Sequence, residues 1–501
     1  MVLKRLQVVA IALLLAPACA AEPDPSTAVA MASEAMGVDT LTSITYSGTA
    51  RNGQFGQSTA IGNPMGPNNL TEITEYTRTI TFETPADDAS LVSRATGPTQ
   101  PPNVPGVPAP EPGVFNQNVS VQQAGANWNQ ALNVWTTPWG FLKGAAANAA
   151  TVEASGDGFT VSFSPAGLTS PSGQPYVVTG TLDANRLVTH VDTEVEHNVL
   201  GNLLVEFDYS DYADMGGVQV PGRIVQRQAG LESFDATITA ATPNPADVVA
   251  LLTAPPNPGR GGGPGGGGRA GGPGGAPAAP PVDMIGEGVY RIGGNYTSLA
   301  VDMGDHILVV ESGQSDARGQ AVMAAAKAAI PDKPITQVVN SHPHFDHASG
   351  LAAAVAEGAT ILTHENNEPV LERFLTGPRT LANDSLAQLG ATRTDVAQGV
   401  PDQLTLTGTN GKVVELYHLP NEHTDGMLGV YLPAERLLWT ADVTVINSSP
   451  AQVGVVRSVV ETLDALQLDF ETFIPAHPPN PDQPLTRANV YAAAAPAPAG
   501  N

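Results

Sequence analysis

The stretch NSHPHFDHASG, residues 340–350, crowds three histidines and one aspartate between His342 and His347, in a chain with only ten histidines among 501 residues. His342 and His344 are two apart. On an extended segment such residues project to one side, so both rings can address one ion. Asp346 and His347 come where the chain turns toward a helix, which aims them at a neighbouring position. Imidazole nitrogens with a carboxylate suit Zn²⁺ or a similar cation. One such cluster is an incomplete site. Three further candidates follow in order: His423 in PNEHTDGML, Asp442 in LLWTADV and His477 in FIPAHP. Each adjoins an apolar strand, and strand ends are where sites assemble in layered α/β folds. A lone histidine is more often a satisfied core residue, and His364 and His418, which end or follow strands, are read as structural or supporting. His306, beside Asp305, is read as a surface residue. Asn340 and Thr424 are candidates for orienting ligand side chains.

The order His-x-His-x-Asp-His, then a lone His, a strand-end Asp and a final His resembles the metallo-β-lactamase superfamily, over about residues 282–480. The resemblance implies an αββα sandwich with metals at one edge between the two sheets. It assigns His342, His344 and His423 to a first metal and Asp346, His347 and His477 to a second. Asp442 then bridges the two, as in the glyoxalase II-like branch, and Asp346 also orients the nucleophile as the catalytic carboxylate. Two Zn²⁺ per chain are implied, with iron or manganese as alternatives. Two positions depart from the family: Ala441 precedes Asp442 and Pro478 follows His477, where glycine is common. The lactamase branch with a cysteine ligand is excluded, because the only cysteine is Cys19. Two zinc ions about 3.5–4 Å apart hold a shared water and lower its pKa to roughly 7, so hydroxide exists at neutral pH. The expected activity is hydrolysis of an ester, thioester, lactone, lactam or phosphoester. A β-lactamase proper is the alternative within the family.

The elements needed to hold these residues are legible nearby. GVYRIGG and HILVVES read as paired strands, GQAVMAAAKAAI as a helix, and ITQVVNS as a short buried strand running into the histidine motif. GLAAAVAEG is a helix ended by Gly358, and ATILTHE a strand. KVVELYHL and MLGVYLPAERLLWTAD are strands with a hairpin at Pro433–Arg436, VVRSVVETLDALQL is a helix, and TFIPAHP is a last strand. Strands and helices alternate with hairpins mixed in, which predicts an α/β layered domain over 282–485. The remainder, 486–501, is expected to be a disordered tail.

The rest of the chain reads differently. Residues 22–252 alternate apolar with polar or threonine residues in SITYSGTA, TEYTRTITFE, FTVSFSP and NLLVEFDYSDY, predicting a mostly antiparallel β domain. Its end loosely resembles periplasmic lipoprotein-carrier-like β domains, which implies a carrier of lipid-like ligands as an alternative function. Trp128, Trp135 and Trp139 could line an apolar pocket, although such tryptophans are more often core. The proline-rich segment 98–115 is expected to form neither helix nor inner strand. The Gly/Pro-rich run 253–281 reads as a flexible tether between the halves. At the start, Lys4 and Arg5, the apolar run Val8 to Leu15 and the small residues Ala18-Cys19-Ala20 have the order of a secretory signal over 1–20. The run is too short for a lasting membrane anchor. Export to the periplasm or medium is expected, with lipidation of Cys19 as the rival. With the signal removed no cysteine remains, so any metal is held by nitrogen and oxygen. The net charge of −26 repels phosphate backbones, so a small-molecule substrate rather than a nucleic acid is the expected partner.

Overall fold

The computed structural model describes residues 27–57, 70–84, 90–100, 113–120, 132–253, 279–390, 393–446, 448 and 450–495. The expected signal segment and all but the ends of the tether lie outside these residues, as does Trp128. No helix among the described residues is long and apolar enough to cross a membrane.

Among the described residues, the N-terminal half holds a two-stranded sheet, Ala213–Asp214 with Gln219–Val220, and an eleven-stranded antiparallel one, with Gly113–Ser120 at one edge and Thr151–Ser155 at the other. Period-two patterning decides its faces. In Val188–His197, for example, Val188, Val191, Thr193 and Val195 are buried while residues between them reach solvent. The buried face meets the helix Pro138–Ala147, which starts with the Thr137 side chain accepting from the Gly140 N–H. Trp139 and Phe141 on this helix are fully buried, and Trp135 packs against the same core. The proline-rich segment needs correction at its ends: Pro98 lies within strand Leu91–Gln100, opposite Val114 of Gly113–Ser120. It is tolerated there because the pairing with the other neighbour, Thr71–Thr81, is interrupted by a bulge between Ile73 and Thr77.

The C-terminal half holds two facing sheets. The first runs Val282–Gly286, Val289–Ile292, Ser298–Asp302, Ile307–Val310, Ile335–Val339, Thr360–His364, Ala397–Val400, and the second runs Gln403–Thr407, Val413–His418, Leu428–Leu432, Leu437–Thr440, Thr472–Pro475, Leu485–Thr486. Alternation again sorts the side chains. Leu308 and Val310 enter the core between the sheets with Val430 and Trp439, whereas Ile307 and Val309 face the helix-side core with Val322 and Leu351. Helix Pro450–Ala465 covers the second sheet through Val456, Val459 and Leu463. The result is helix, sheet, sheet, helix. Two expectations need amendment. Val289–Ile292 and Ile307–Val310 are not partners, since Ser298–Asp302 lies between them and pairs with both; its five residues SLAVD, buried on both faces, show no period-two alternation. The 486–501 tail is ordered over Arg487–Ala494, a helix capped by Thr486 and Asn489 with Val490 buried.

The halves meet through specific bonds. Asn202 N–H donates to Pro378 O at 2.6 Å, Ser172 Oγ to Thr380 O at 2.6 Å, and Arg379 Nη2 to Val199 O at 2.8 Å. Val199 and Leu200 belong to the same buried cluster as Phe374 and Leu381, so one apolar core crosses the boundary.

Candidate metal centre

Four of the positioning strands form two parallel pairs that end at one edge. Ile335–Val339 runs beside Ile307–Val310, and Leu437–Thr440 beside Thr472–Pro475. Their C-terminal ends deliver Glu311, the 342–347 motif, Asp442 and His477. The two sheets are stitched at this edge by backbone bonds, Leu428 N–H to Ser341 O and Thr297 N–H to Ala476 O, each 2.8 Å. Phe345–Ala348 forms one helical turn after His344 and carries Asp346 and His347, with the His347 ring centroid 4.3 Å from that of His342. His423 comes from the loop between Val413–His418 and Leu428–Leu432.

All seven candidates converge. His342, His344 and His423 form one group, and Asp346, His347, Asp442 and His477 form another. In the first, His344 Nδ1 and His423 Nε2 are 2.9 Å apart. In the second, His347 Nε2 and His477 Nε2 are 3.2 Å apart, and each lies 3.7 Å from Asp346 Oδ2. Asp442 spans both: Oδ2 is 3.2 Å from His342 Nε2 and 3.3 Å from His423 Nε2, and also 2.8 Å from His347 Nε2, while Oδ1 is 2.9 Å from His477 Nε2. Ligands about 2.0–2.1 Å from a tetrahedral zinc stand about 3.3 Å from one another, so this spacing fits. His342 Nε2 is buried with no hydrogen-bond partner and lies 3.2 Å from Asp442 Oδ2. An orphaned acceptor-capable atom beside a carboxylate is costly unless a cation satisfies both. The donor set, five imidazoles and two carboxylates without sulfur, suits a borderline divalent ion.

The electrostatics are polarised. Burial and the neighbouring rings of His347 and His344 push the His342 pKa well below its usual value, leaving the ring neutral with a free lone pair. Burial alone would lower His347, but Asp442, Asp346 and Glu311 raise it well above. Burial would raise Asp442, but the rings of His347, His423 and His477 hold it ionised far below the usual carboxylate range. Asp442 also adopts a left-handed backbone, φ 48°, with Ala441 before it fully buried. Asp tolerates that region better than most residues, and such conformations concentrate at functional sites.

Four contributors escaped the sequence reading. Glu311, fully buried and also at positive φ (67°), accepts from Ser341 Oγ at 2.6 Å and faces His347 Nδ1 at 3.2 Å. Ser341 Oγ in turn lies 3.1 Å from His342 Nδ1. The signal was present: a glutamate closing the apolar strand of HILVVES has no reason to be there as core. Tyr296 donates its hydroxyl to Asp346 Oδ2 at 2.8 Å and stacks near His477 with centroids 4.5 Å apart. Burial, then Asp346, raises its pKa, so it stays a neutral donor. Gln57, from the other half, donates to Asp346 Oδ1 at 3.0 Å; nothing in sequence could pair residues 289 apart. Conversely, Asn340 bonds the His347 carbonyl rather than a ligand ring, and the Thr424 N–H bonds Asn421. His364 and His418 stack at 3.7 Å beside Asp402. His364 Nδ1 accepts from Asn366 N–H, and His418 meets the Asp425 carbonyl, so both brace the loop carrying His423.

Residues 291–477 match the family model described as the metallo-beta-lactamase superfamily. Among curated proteins, the chain is 25% identical over 197 residues to the 2,4-dinitroanisole O-demethylase subunit alpha of Nocardioides sp. (strain JS1661), covering 38% of this chain and 54% of that one. The chain thus spans about half the length of this curated relative. Similar solved structures include the DIM-1 metallo-beta-lactamase (15% identity, 43% of this chain and 95% of that one, TM-score 0.33). Another is a metallo-beta-lactamase from Hirschia baltica (18% identity, 43% and 96%, TM-score 0.32). The family match, over the half that carries both ligand groups, makes residues 291–477 a domain of the metallo-beta-lactamase superfamily.

Proposed function

We propose that this protein is an exported metal-dependent hydrolase with two divalent cations, zinc foremost, acting on an ester, thioester, lactone, lactam or phosphoester of a small molecule. The convergence of seven nitrogen and oxygen donors into two groups sharing Asp442 carries this reading. His342, His344 and His423 would hold one cation and Asp346, His347 and His477 the other, with Asp442 within reach of both groups. Bound cations supply Lewis acidity and a water of pKa roughly 7. The chain supplies the rest. Glu311 holds His347 through Nδ1, which turns Nε2 toward the site. Asp346, whose carboxyl is held below its usual range in the metal-free protein chiefly by the His347 ring against the effect of burial, orients the attacking water. Tyr296, which retains its proton, donates a hydrogen bond to Asp346 Oδ2 beside His477.

The test is elemental analysis of the purified protein together with a panel of chromogenic esters, thioesters, lactones, phosphodiesters and nitrocefin. An aryl methyl ether belongs in the panel because the curated relative is named for that reaction. Two metal equivalents and turnover of at least one panel member are expected, with loss of about 100-fold or more in Asp346→Ala. A metal-free protein, or activity indifferent to Asp346→Ala, would refute the reading. The mass of the mature chain, starting near Ala21, tests export.

A further inference from the structure

The two oxygens of Asp346 face different halves of the molecule. Oδ2 points to the histidine side, 3.7 Å from both His347 Nε2 and His477 Nε2, where it accepts the Tyr296 hydroxyl at 2.8 Å. Oδ1 points away and receives the Gln57 amide at 3.0 Å. Gln57 is not on a free-standing loop. It follows Ser43–Asn52, which pairs on both sides within the eleven-stranded sheet. Gly53 N–H then bonds Ser233 O at 2.9 Å, and Phe55 packs edge-on against the His197 ring at 5.9 Å and 83°. The segment is therefore anchored to the sheet and to the boundary where Val199 and Leu200 meet Phe374 and Leu381.

We propose that Gln57 is a positioning residue supplied by the N-terminal half to the metal centre: it holds Asp346 Oδ1 so that Oδ2 is the oxygen presented to the second cation. This rests on the two-cation reading above. A carboxylate free to rotate exposes either oxygen; one clamped by a donor from a rigid element presents one. A neutral amide does this without adding a charge that would compete with the cation. The N-terminal half then becomes part of the active site, and removing it would leave that site incomplete.

The experiment uses the full chain with Zn²⁺ as probe and a competing chromogenic chelator, comparing wild type with Gln57→Leu and Gln57→Glu. Both variants keep roughly the size of glutamine and lack the N–H donor; Gln57→Glu also sets a carboxylate against Asp346. The more weakly held zinc should be lost about 10–100-fold more readily in both variants, with the other zinc unaffected. Thermal melts of the metal-free proteins should coincide, which separates the effect from misfolding. If both variants keep two zinc ions at wild-type affinity, or if melts and metal loss shift together, Gln57 has no positioning role. If wild type itself takes up no zinc, the hydrolase reading falls first and this one with it.

Discussion

Glu311 illustrates how a residue outside the ligand set can govern it. Its fully buried carboxylate touches Ser341 and His347, and through Ser341 it reaches His342. One side chain thus orients a ring in each ligand group. Glu311→Gln preserves volume but removes the charge that draws the His347 Nδ1 proton. Zinc affinity should fall about 10–100-fold, read by chelator competition. The same ring sets the pH response. In the metal-free protein Asp442, Asp346 and Glu311 overcome burial and raise the His347 pKa well above 6.5, so the ring is protonated at neutral pH. A cation must displace that proton. Uptake should release protons, and affinity should fall as pH is lowered, by about tenfold per unit for each proton displaced. Metal retention measured from pH 7.5 down to 4 checks the sign; retention flat to pH 4 would contradict it.

At the scale of elements, the loop carrying His423 is the least regular part of the centre and the most heavily braced. Asn367 donates to Gly426 O at 2.8 Å, Asn366 bonds Asp425, and His418 meets the Asp425 carbonyl. A Cβ on Gly426 would collide with the Asn367 amide oxygen. Gly426→Ala should therefore displace His423, loosening the first cation while leaving the second at wild-type affinity. A stepwise zinc titration separates the two. The C-terminal helix is a simpler case. Val490→Ala removes two buried methylene equivalents and should cost about 1–2 kcal/mol in urea unfolding, whereas deletion of 496–501 should leave the unfolding midpoint unchanged.

For the whole molecule, the boundary between halves is the feature to test. His197 sits there, its Nδ1 accepting from Val199 and Leu200 N–H, next to Phe55. Burial, with Arg379 and Arg373 nearby, pushes its pKa down to about 4 from 6.5. A group whose folded pKa lies below its unfolded value favours folding while neutral. Its contribution is complete above about pH 6.5 and is lost as pH falls toward 4, up to about 3 kcal/mol. Carboxylates titrate in the same range, so the informative quantity is a difference. Wild type should lose more stability than His197→Gln between pH 7 and 4.5 in urea melts; equal losses would place His197 outside the stability of the boundary.

The candidate residues, their order and the layered α/β class were legible in the chain because each rests on local signal; their grouping into two sets came from the resemblance. Two-residue spacing aims paired rings, apolar alternation marks a strand, and a polar residue at a strand end stands out. Ser298–Asp302 was missed because five residues buried on both faces carry no alternation, and Arg487–Ala494 because an alanine-rich run between the prolines of 478–484 and Pro496 reads equally as tail or helix until a partner surface is known. Partnership across the chain beyond the residues of the family pattern was not legible. Glu311 with His347, Tyr296 with Asp346, and Gln57 with Asp346 are contacts between segments 36, 50 and 289 residues apart. Sequence spacing carries direction along a strand or helix; only packing of the two sheets, and of one half against the other, decides which side chains share a volume.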